Sequence, residues 1–115
     1  MRLEARKYLY DIQQAATLLA EFTAGRQFAD YAREAMLRAA VEREFQIIGE
    51  ALAQLARLDR ELAAGISEHR SIIDFRNILI HGYADVDDRL VWDILETKLP
   101  ILSREIDALL DTTQE

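Results

Sequence analysis

The chain has 115 residues, of which half are apolar and 30% are charged, and it contains no cysteine. This length suits one domain, expected to span residues 1–115, and the composition excludes a disulfide scaffold and a cysteine-based metal site. The formal net charge of -7 argues against non-specific nucleic-acid binding, which depends on many lysine and arginine contacts to phosphates.

The first half of the chain carries two long helical patterns. Apolar residues recur at steps of three and four from Leu3 to Phe22, which predicts a first helix over about residues 2–22. A short helical turn at residues 28–31 and a second helix of about 25 residues should follow. Gly49 lies inside this second helix, where we interpret it as a point of close approach by another helix. The apolar positions of the second pattern are Ala32, Ala35, Met36, Ala39, Val41, Phe45, Ile48, Leu52 and Leu55.

Weaker signals organise the middle of the chain. The apolar pattern fades around Gly65, which predicts a connection with a short helical piece at residues 60–64. Ser67 is a good N-cap candidate, so a third helix should span about residues 68–81. Gly82 then occupies the position where a left-handed residue commonly ends a helix.

The last helical pattern follows the acidic loop after Gly82. Asp85 or Asp87 can cap it, and Pro100 should kink or interrupt it near Glu96, because proline lacks a backbone N–H. Since no strand pattern is present, the expected fold class is all-α, an antiparallel bundle of four to five helices. No apolar run approaches the ~20 residues of a membrane span, so we expect a cytoplasmic protein. The apolar stripe of the last helix is Leu90, Val91, Ile94, Leu95, Leu99, Leu102, Ile106, Leu109 and Leu110.

Polar residues concentrate in one segment, F-R-N-I-L-I-H-G-Y, at residues 75–83. Asn77 and His81 are four apart and share one side of a helix, whereas Arg76 and His81 are five apart and would not face each other in a regular helix. A helix end at Gly82 would let His81 and Tyr83 turn toward Arg76. The apolar residues of the segment, Phe75, Ile78, Leu79 and Ile80, should form the buried side of this helix.

These four polar side chains suit phosphodiester chemistry. An imidazole can take or give a proton near neutral pH, and an arginine can hold phosphate oxygens. Asn77 and Tyr83 would add neutral donors, and without a convincing metal-ligand spacing nearby we expect no metal or other cofactor. On RNA, attack by the 2′-hydroxyl would yield a 2′,3′-cyclic phosphate. Spacing alone favours a plainer interpretation, a capping histidine beside a surface arginine.

The segment at residues 76–83 resembles the R-x-x-x-x-H-x-Y signature of the HEPN superfamily, specifically of HepT-like toxins. F-Q-I-I-G-E-A at residues 45–51, Y-A-D-V-D after the histidine and V-W-D-I-L-E-T-K-L-P-I-L at residues 91–102 are also similar to that family's pattern, in the same order. The resemblance implies a HEPN-like helical domain that acts as a metal-independent endoribonuclease on RNA such as tRNA or mRNA.

The same resemblance implies roles for the four residues. Arg76 and His81 match the catalytic pair, and Asn77 matches a supporting polar residue. Tyr83 matches the tyrosine to which a minimal nucleotidyltransferase antitoxin of the MntA type attaches AMP, in a type VII toxin-antitoxin system. Such toxins resemble homodimers in which the motif helices of both protomers line one cleft. The alternatives are a non-catalytic helical partner, or a nucleotide-binding module, of a nucleotidyltransferase.

Other polar and aromatic residues have plainer interpretations. Trp92 is expected to pack in the core or at a dimer interface, and His69 is expected to be exposed to solvent near a helix start. Glu50 follows Gly49 and can face the motif helix, where we consider a salt bridge to an arginine of the cleft.

Overall fold

The computed structural model describes residues 1–82 and 85–112 of the chain, and this part contains only α-helices and their connections. The all-α fold class is therefore confirmed. The short helical piece expected at residues 60–64 is present. The three longer helices predicted before residue 82 are also present. The helices are α1 Leu3–Thr23, α2 Phe28–Arg33, α3 Ala35–Leu58, α4 Arg60–Ala64, α5 His69–His81, α6 Asp88–Thr97 and α7 Leu99–Thr112.

The central element of the fold is α3. It packs against α1 along much of its length and against α5, and α2 and α4 also contact it. Helix α7 covers α1, and α6 contacts α7 and α2. No helix of residues 1–82 and 85–112 is both long and apolar enough to cross a membrane. The largest fully buried side chains are Tyr31, Phe45, Leu9, Ile12, Leu19, Ile48, Leu52, Leu55, Ile66, Leu79, Leu102 and Ile106.

The apolar pattern predicted for the second helix is correct from Val41 onward and wrong before it. The chain leaves the helix at Glu34, so residues 28–33 form the separate helix α2 and α3 begins at Ala35. Met36 is 88% exposed, while its neighbour Leu37 is buried. Ala32 belongs to α2, which does not continue into α3, and Ala35, Met36 and Ala39 lie on the exposed side of α3. The buried side of the first turns of α3 passes through Leu37 and Val41, which are four residues apart.

The buried side of α5 is narrower than predicted. Ile72, Phe75 and Leu79 are buried against the core, but Ile78 and Ile80 are 46% and 42% exposed. Consecutive residues of a helix point about 100° apart, so three adjacent aliphatic residues cannot all face one core. The helix thus exposes two isoleucines beside its polar residues.

The predicted bounds of α5 are correct to within one residue, but the predicted capping at both ends is wrong. Ser67 does not cap the helix; its backbone N–H and its Oγ donate to the Glu105 carboxylate of α7 at 2.8 Å and 2.6 Å. Glu68 is the N-cap instead, with φ +57°. Gly82 ends the helix with φ -109° and is not left-handed, and its N–H donates to the Ile78 carbonyl at 2.7 Å.

The last helical pattern is interrupted, as predicted from Pro100. Helix α6 ends at Thr97 and α7 begins at Leu99, which places the proline in the first turn of α7, where a missing N–H costs little. The expected Asp87 cap is present, since this carboxylate accepts from the Arg89 N–H at 2.9 Å. Trp92 is buried against Tyr31 with ring centroids 5.4 Å apart, which confirms its packing role.

Candidate active site

The position of the motif helix α5 is fixed by its apolar contact with α3. The rings of Phe75 and Phe45 meet edge to face with centroids 5.3 Å apart. Both residues are buried, and pairs of this geometry contribute to packing beyond the area they bury. This contact holds the residue after Phe75, Arg76, against the middle of α3.

Gly49 is where the two helices approach most tightly. A Cβ atom added at Gly49 would lie 2.3 Å from the Cβ and 2.7 Å from the Cγ of Arg76. The prediction that this glycine admits another helix is therefore confirmed. The stem of Arg76 occupies the space that any side chain at residue 49 would need.

The Arg76 guanidinium is paired with a carboxylate of the same helix α3. Its Nη2 lies 3.0 Å from Oε2 of Glu50, which confirms the salt bridge considered from the sequence. The other oxygen of that carboxylate, Oε1, accepts from Nε2 of Gln54 at 3.0 Å. A hydrogen bond thus joins Gln54 to Glu50, and an ion pair joins Glu50 to the motif arginine.

Arg76 is largely enclosed. Its side chain is 16% exposed, compared with 54% for that of Glu50. Its Nε is buried and has no hydrogen-bond partner among the described residues. A buried donor without a partner carries a free-energy cost, so the enclosed position of Arg76 is not explained by hydrogen bonding at Nε.

The remaining motif residues of α5 lie on its exposed face. Asn77 and His81 are exposed, and His81 is the last residue of the helix. Because α5 is helical through residue 81, Arg76 and His81 point roughly 140° apart around its axis. The structure therefore brings Asn77 and His81 together and places Arg76 on a different face.

Tyr83, the fourth predicted site residue, lies outside the described residues. The N–H of Asp85 donates to the carbonyl of Gly82 at 2.8 Å. His69, the other histidine of the chain, is the first residue of α5 and is partly exposed. Within residues 1–82 and 85–112, no three histidine or acidic side chains gather in a way that could hold a metal ion.

Gln54 is the residue of this arrangement that the sequence interpretation missed. A signal was present, because Gln54 follows Glu50 by four positions and side chains at that spacing are neighbours on a helix. The pairing became meaningful only once Glu50 was seen to contact Arg76 on α5.

Comparison with known proteins gives a consistent set of matches. A family model described as Ribonuclease HepT-like matches residues 12–109. A protein of Methanocaldococcus jannaschii with the name "Putative RNase" is 32% identical over 104 residues, covering 90% of this chain and 94% of its own length. "Probable ribonuclease HepT" of Thermococcus cleftensis is 32% identical over 109 residues, covering 95% and 98% of the two chains. No solved structure matches significantly.

Proposed function

The chain belongs to the HepT-like ribonuclease family, and on this premise we propose that it is a metal-independent endoribonuclease that uses Arg76 and His81. The observation that carries the proposal is the built environment of Arg76. Gly49 makes room for its stem, and Glu50, which accepts from Gln54, pairs with its guanidinium between α3 and α5. An arginine held in this way is suited to bind a phosphate and to stabilise the negative charge that develops on it during phosphoryl transfer.

The proposed reaction needs one proton acceptor and one proton donor. The ribose 2′-oxygen attacks the adjacent phosphorus as its proton is removed, and the bond from phosphorus to the 5′-oxygen breaks as that oxygen gains a proton. His81 serves as the base or the acid of this exchange, because an imidazole can act in either role near neutral pH. The products are a 2′,3′-cyclic phosphate and a 5′-hydroxyl end. Asn77 supports the site as a neutral donor beside His81.

We propose that the active form is a homodimer. Within one chain Arg76 and His81 point to different faces of α5, so a single α5 does not aim both at one phosphate. The exposed Ile78 and Ile80 flank Asn77 and His81 and supply apolar area for a second copy. Two motif helices side by side would join two arginines and two histidines in one cleft.

We further propose that the protein is the toxin of a type VII toxin-antitoxin pair in the cytoplasm. The antitoxin would be a minimal nucleotidyltransferase that joins the α-phosphorus of ATP to the Tyr83 oxygen and releases pyrophosphate. Tyr83 follows His81 by two residues, so the added AMP would introduce a bulky anion next to the proposed catalytic histidine. An AMP mass localised to Tyr83 in the protein co-expressed with its neighbouring nucleotidyltransferase would support this assignment.

A second candidate function is a non-catalytic helical partner, or a nucleotide-binding module, of that nucleotidyltransferase. The observation in its favour is that Arg76 is only 16% exposed and already engaged by Glu50, as expected of a structural ion pair. This function predicts a tight complex with the nucleotidyltransferase and no RNA cleavage at any protein concentration.

The test is RNA cleavage by purified protein in the presence of EDTA. Wild type should cleave, and His81→Ala should lose at least about 100-fold in rate, as expected for removal of a proton-transfer group. His69→Ala is the matched control, because it removes the other histidine of the same helix and should cleave at the wild-type rate. Cleavage only with added metal, or equal rates for wild type and His81→Ala, would overturn the proposal.

A further inference from the structure

We propose that Glu50 is a positioning residue for the reaction, which holds the Arg76 guanidinium in its working orientation and is itself held by Gln54. This inference rests on the proposed function, because it assigns the orientation of Arg76 a role in RNA cleavage. Neither Glu50 nor Gln54 belongs to the R-x-x-x-x-H-x-Y motif; both come from α3.

Two contacts connect α3 to the motif helix α5 through Glu50. Gln54 Nε2 donates to Oε1 of Glu50, and Oε2 of Glu50 lies 3.0 Å from Nη2 of Arg76. Each oxygen of the carboxylate therefore has a different partner. A carboxylate contacted at both oxygens is restrained in its rotation, so it restrains the position of the guanidinium group with which it is paired.

This ion pair differs from the others of the described residues in how enclosed its cation is. The cationic side chains of five other pairs are 26% to 68% exposed, with Lys98 at 26% the most enclosed of them, and that of Arg76 is 16% exposed. Pairs between exposed side chains are screened by water and restrict little. The guanidinium of Arg76 is therefore shielded from water more than these cations are, while its partner Glu50 is 54% exposed.

The backbone of α3 adds a second restraint on the same side chain. Because Gly49 has no Cβ, the Cβ and Cγ of Arg76 lie directly against it, and Glu50 is the next residue. The stem is thus confined by Gly49 while the head is held by Glu50. With Nη2 paired with Glu50 and Nε enclosed, the guanidinium N–H groups that are directed elsewhere are those that a phosphate can use.

Substitutions at Glu50 separate positioning from direct proton transfer. Glutamine keeps an oxygen that can accept from Arg76 Nη2 but cannot act as a base, whereas alanine removes the contact. If Glu50 positions Arg76, Glu50→Ala should lower kcat by about 10- to 100-fold with a change in KM under about threefold, because misplacing a group acts on the transition state. Glu50→Gln should recover most of the rate and keep the wild-type pH profile.

A second readout does not depend on activity. The Arg76 Nε–H signal in a ¹H–¹⁵N spectrum, assigned by its loss in Arg76→Lys, should be protected from exchange with water in wild type because Nε is buried. Glu50→Ala should accelerate that exchange, and Glu50→Gln should largely preserve it. Glu21→Gln, an exposed acid on α1, is the matched control and should change neither the rate nor the signal.

The outcomes are decisive in both directions. Unchanged kcat in Glu50→Ala overturns the inference, and so do equal losses in the glutamine and alanine variants, which would make Glu50 a proton-transfer group. If wild type does not cleave RNA, the proposed function fails, and the exchange measurement still decides whether Glu50 orients Arg76. Protection lost in Glu50→Ala and kept in Glu50→Gln supports the orientation, and equal protection in all variants contradicts it.

Discussion

The Cβ of Arg76 on α5 lies only 2.3 Å from the position that a Cβ at residue 49 of α3 would occupy. Any residue larger than glycine at position 49 would therefore overlap with Arg76. The two helices therefore meet at two residues that the sequence itself singles out. One is the glycine inside α3, and the other is the arginine that begins the motif on α5. The fold and the proposed chemistry depend on the same contact.

Substitution of Gly49 by alanine should destabilise the protein and lower its activity. Alanine would favour α3 by about 1 kcal/mol through helix propensity, but the overlap with Arg76 should cost about 1–3 kcal/mol and displace that side chain. Denaturant unfolding measures the net effect, and RNA cleavage measures the displacement. Gly65→Ala is the control, since its nearest neighbour would be at 3.4 Å, and it should be neutral. A stabilised Gly49→Ala variant would contradict the tight approach.

The exposed isoleucines of α5 should hold the proposed homodimer together. Ile78→Asp would place a charge in an apolar contact and should weaken association by at least about tenfold. Sedimentation velocity across a concentration series gives the dissociation constant. Met36→Asp, at an 88% exposed apolar residue of α3, should leave the dimer intact. A monomeric wild type at high concentration would reject the dimer.

Glu42 should limit stability at neutral pH. Burial raises the pKa of this carboxyl from its ordinary value, and repulsion from Asp88 adds to the rise. The folded state therefore binds this proton more tightly than the unfolded state does. Its stability is highest below the ordinary pKa of the carboxyl and falls as the pH rises through the raised pKa of the folded state. Glu42→Gln should raise the Tm at about pH 7 and have little effect below about pH 4. An equal shift at both pH values would show that charge is not the cause.

Tyr31 should be replaceable by phenylalanine with a gain in stability. Its hydroxyl is buried and lacks a hydrogen-bond partner among the described residues, so its removal should stabilise the fold by about 1 kcal/mol.

The gain from Tyr31→Phe should also depend on pH. Burial raises the pKa of Tyr31 well above its ordinary value of 10.0, so above that pH the unfolded chain loses this proton while the folded one keeps it. Wild type therefore loses stability with rising pH, and the advantage of Tyr31→Phe should grow. Urea unfolding at neutral and alkaline pH measures both effects. Tyr10→Phe, at a 54% exposed tyrosine, should show neither.

Much of the fold followed from apolar spacing. Apolar residues at steps of three and four predicted α1, most of α3, and α6 with α7. Pro100 predicted the break between α6 and α7, because proline lacks a backbone N–H donor. Local signals failed where a distant residue competes. Ser67 has the chemistry of a cap, yet its N–H and Oγ are both taken by Glu105, which lies 38 residues later.

The candidate site was only partly predictable for the same reason. The motif residues and the special place of Gly49 could be recognised in the sequence, and Glu50 could be suspected because it follows that glycine. Three features depend on the angle at which α5 crosses α3. They are the burial of Arg76, its connection through Glu50 to Gln54, and the exposure of Ile78 and Ile80. That angle is set by packing across the whole core and not by any local pattern.

The most direct measurement is the chemistry of the RNA ends that the purified protein produces in EDTA. Wild type should yield 2′,3′-cyclic phosphate and 5′-hydroxyl ends, and His81→Ala should yield none above background while keeping the helical fold. Ends with a 5′-phosphate and a 3′-hydroxyl, or identical product from His81→Ala, would contradict the assignment of Arg76 and His81 as a metal-independent catalytic pair.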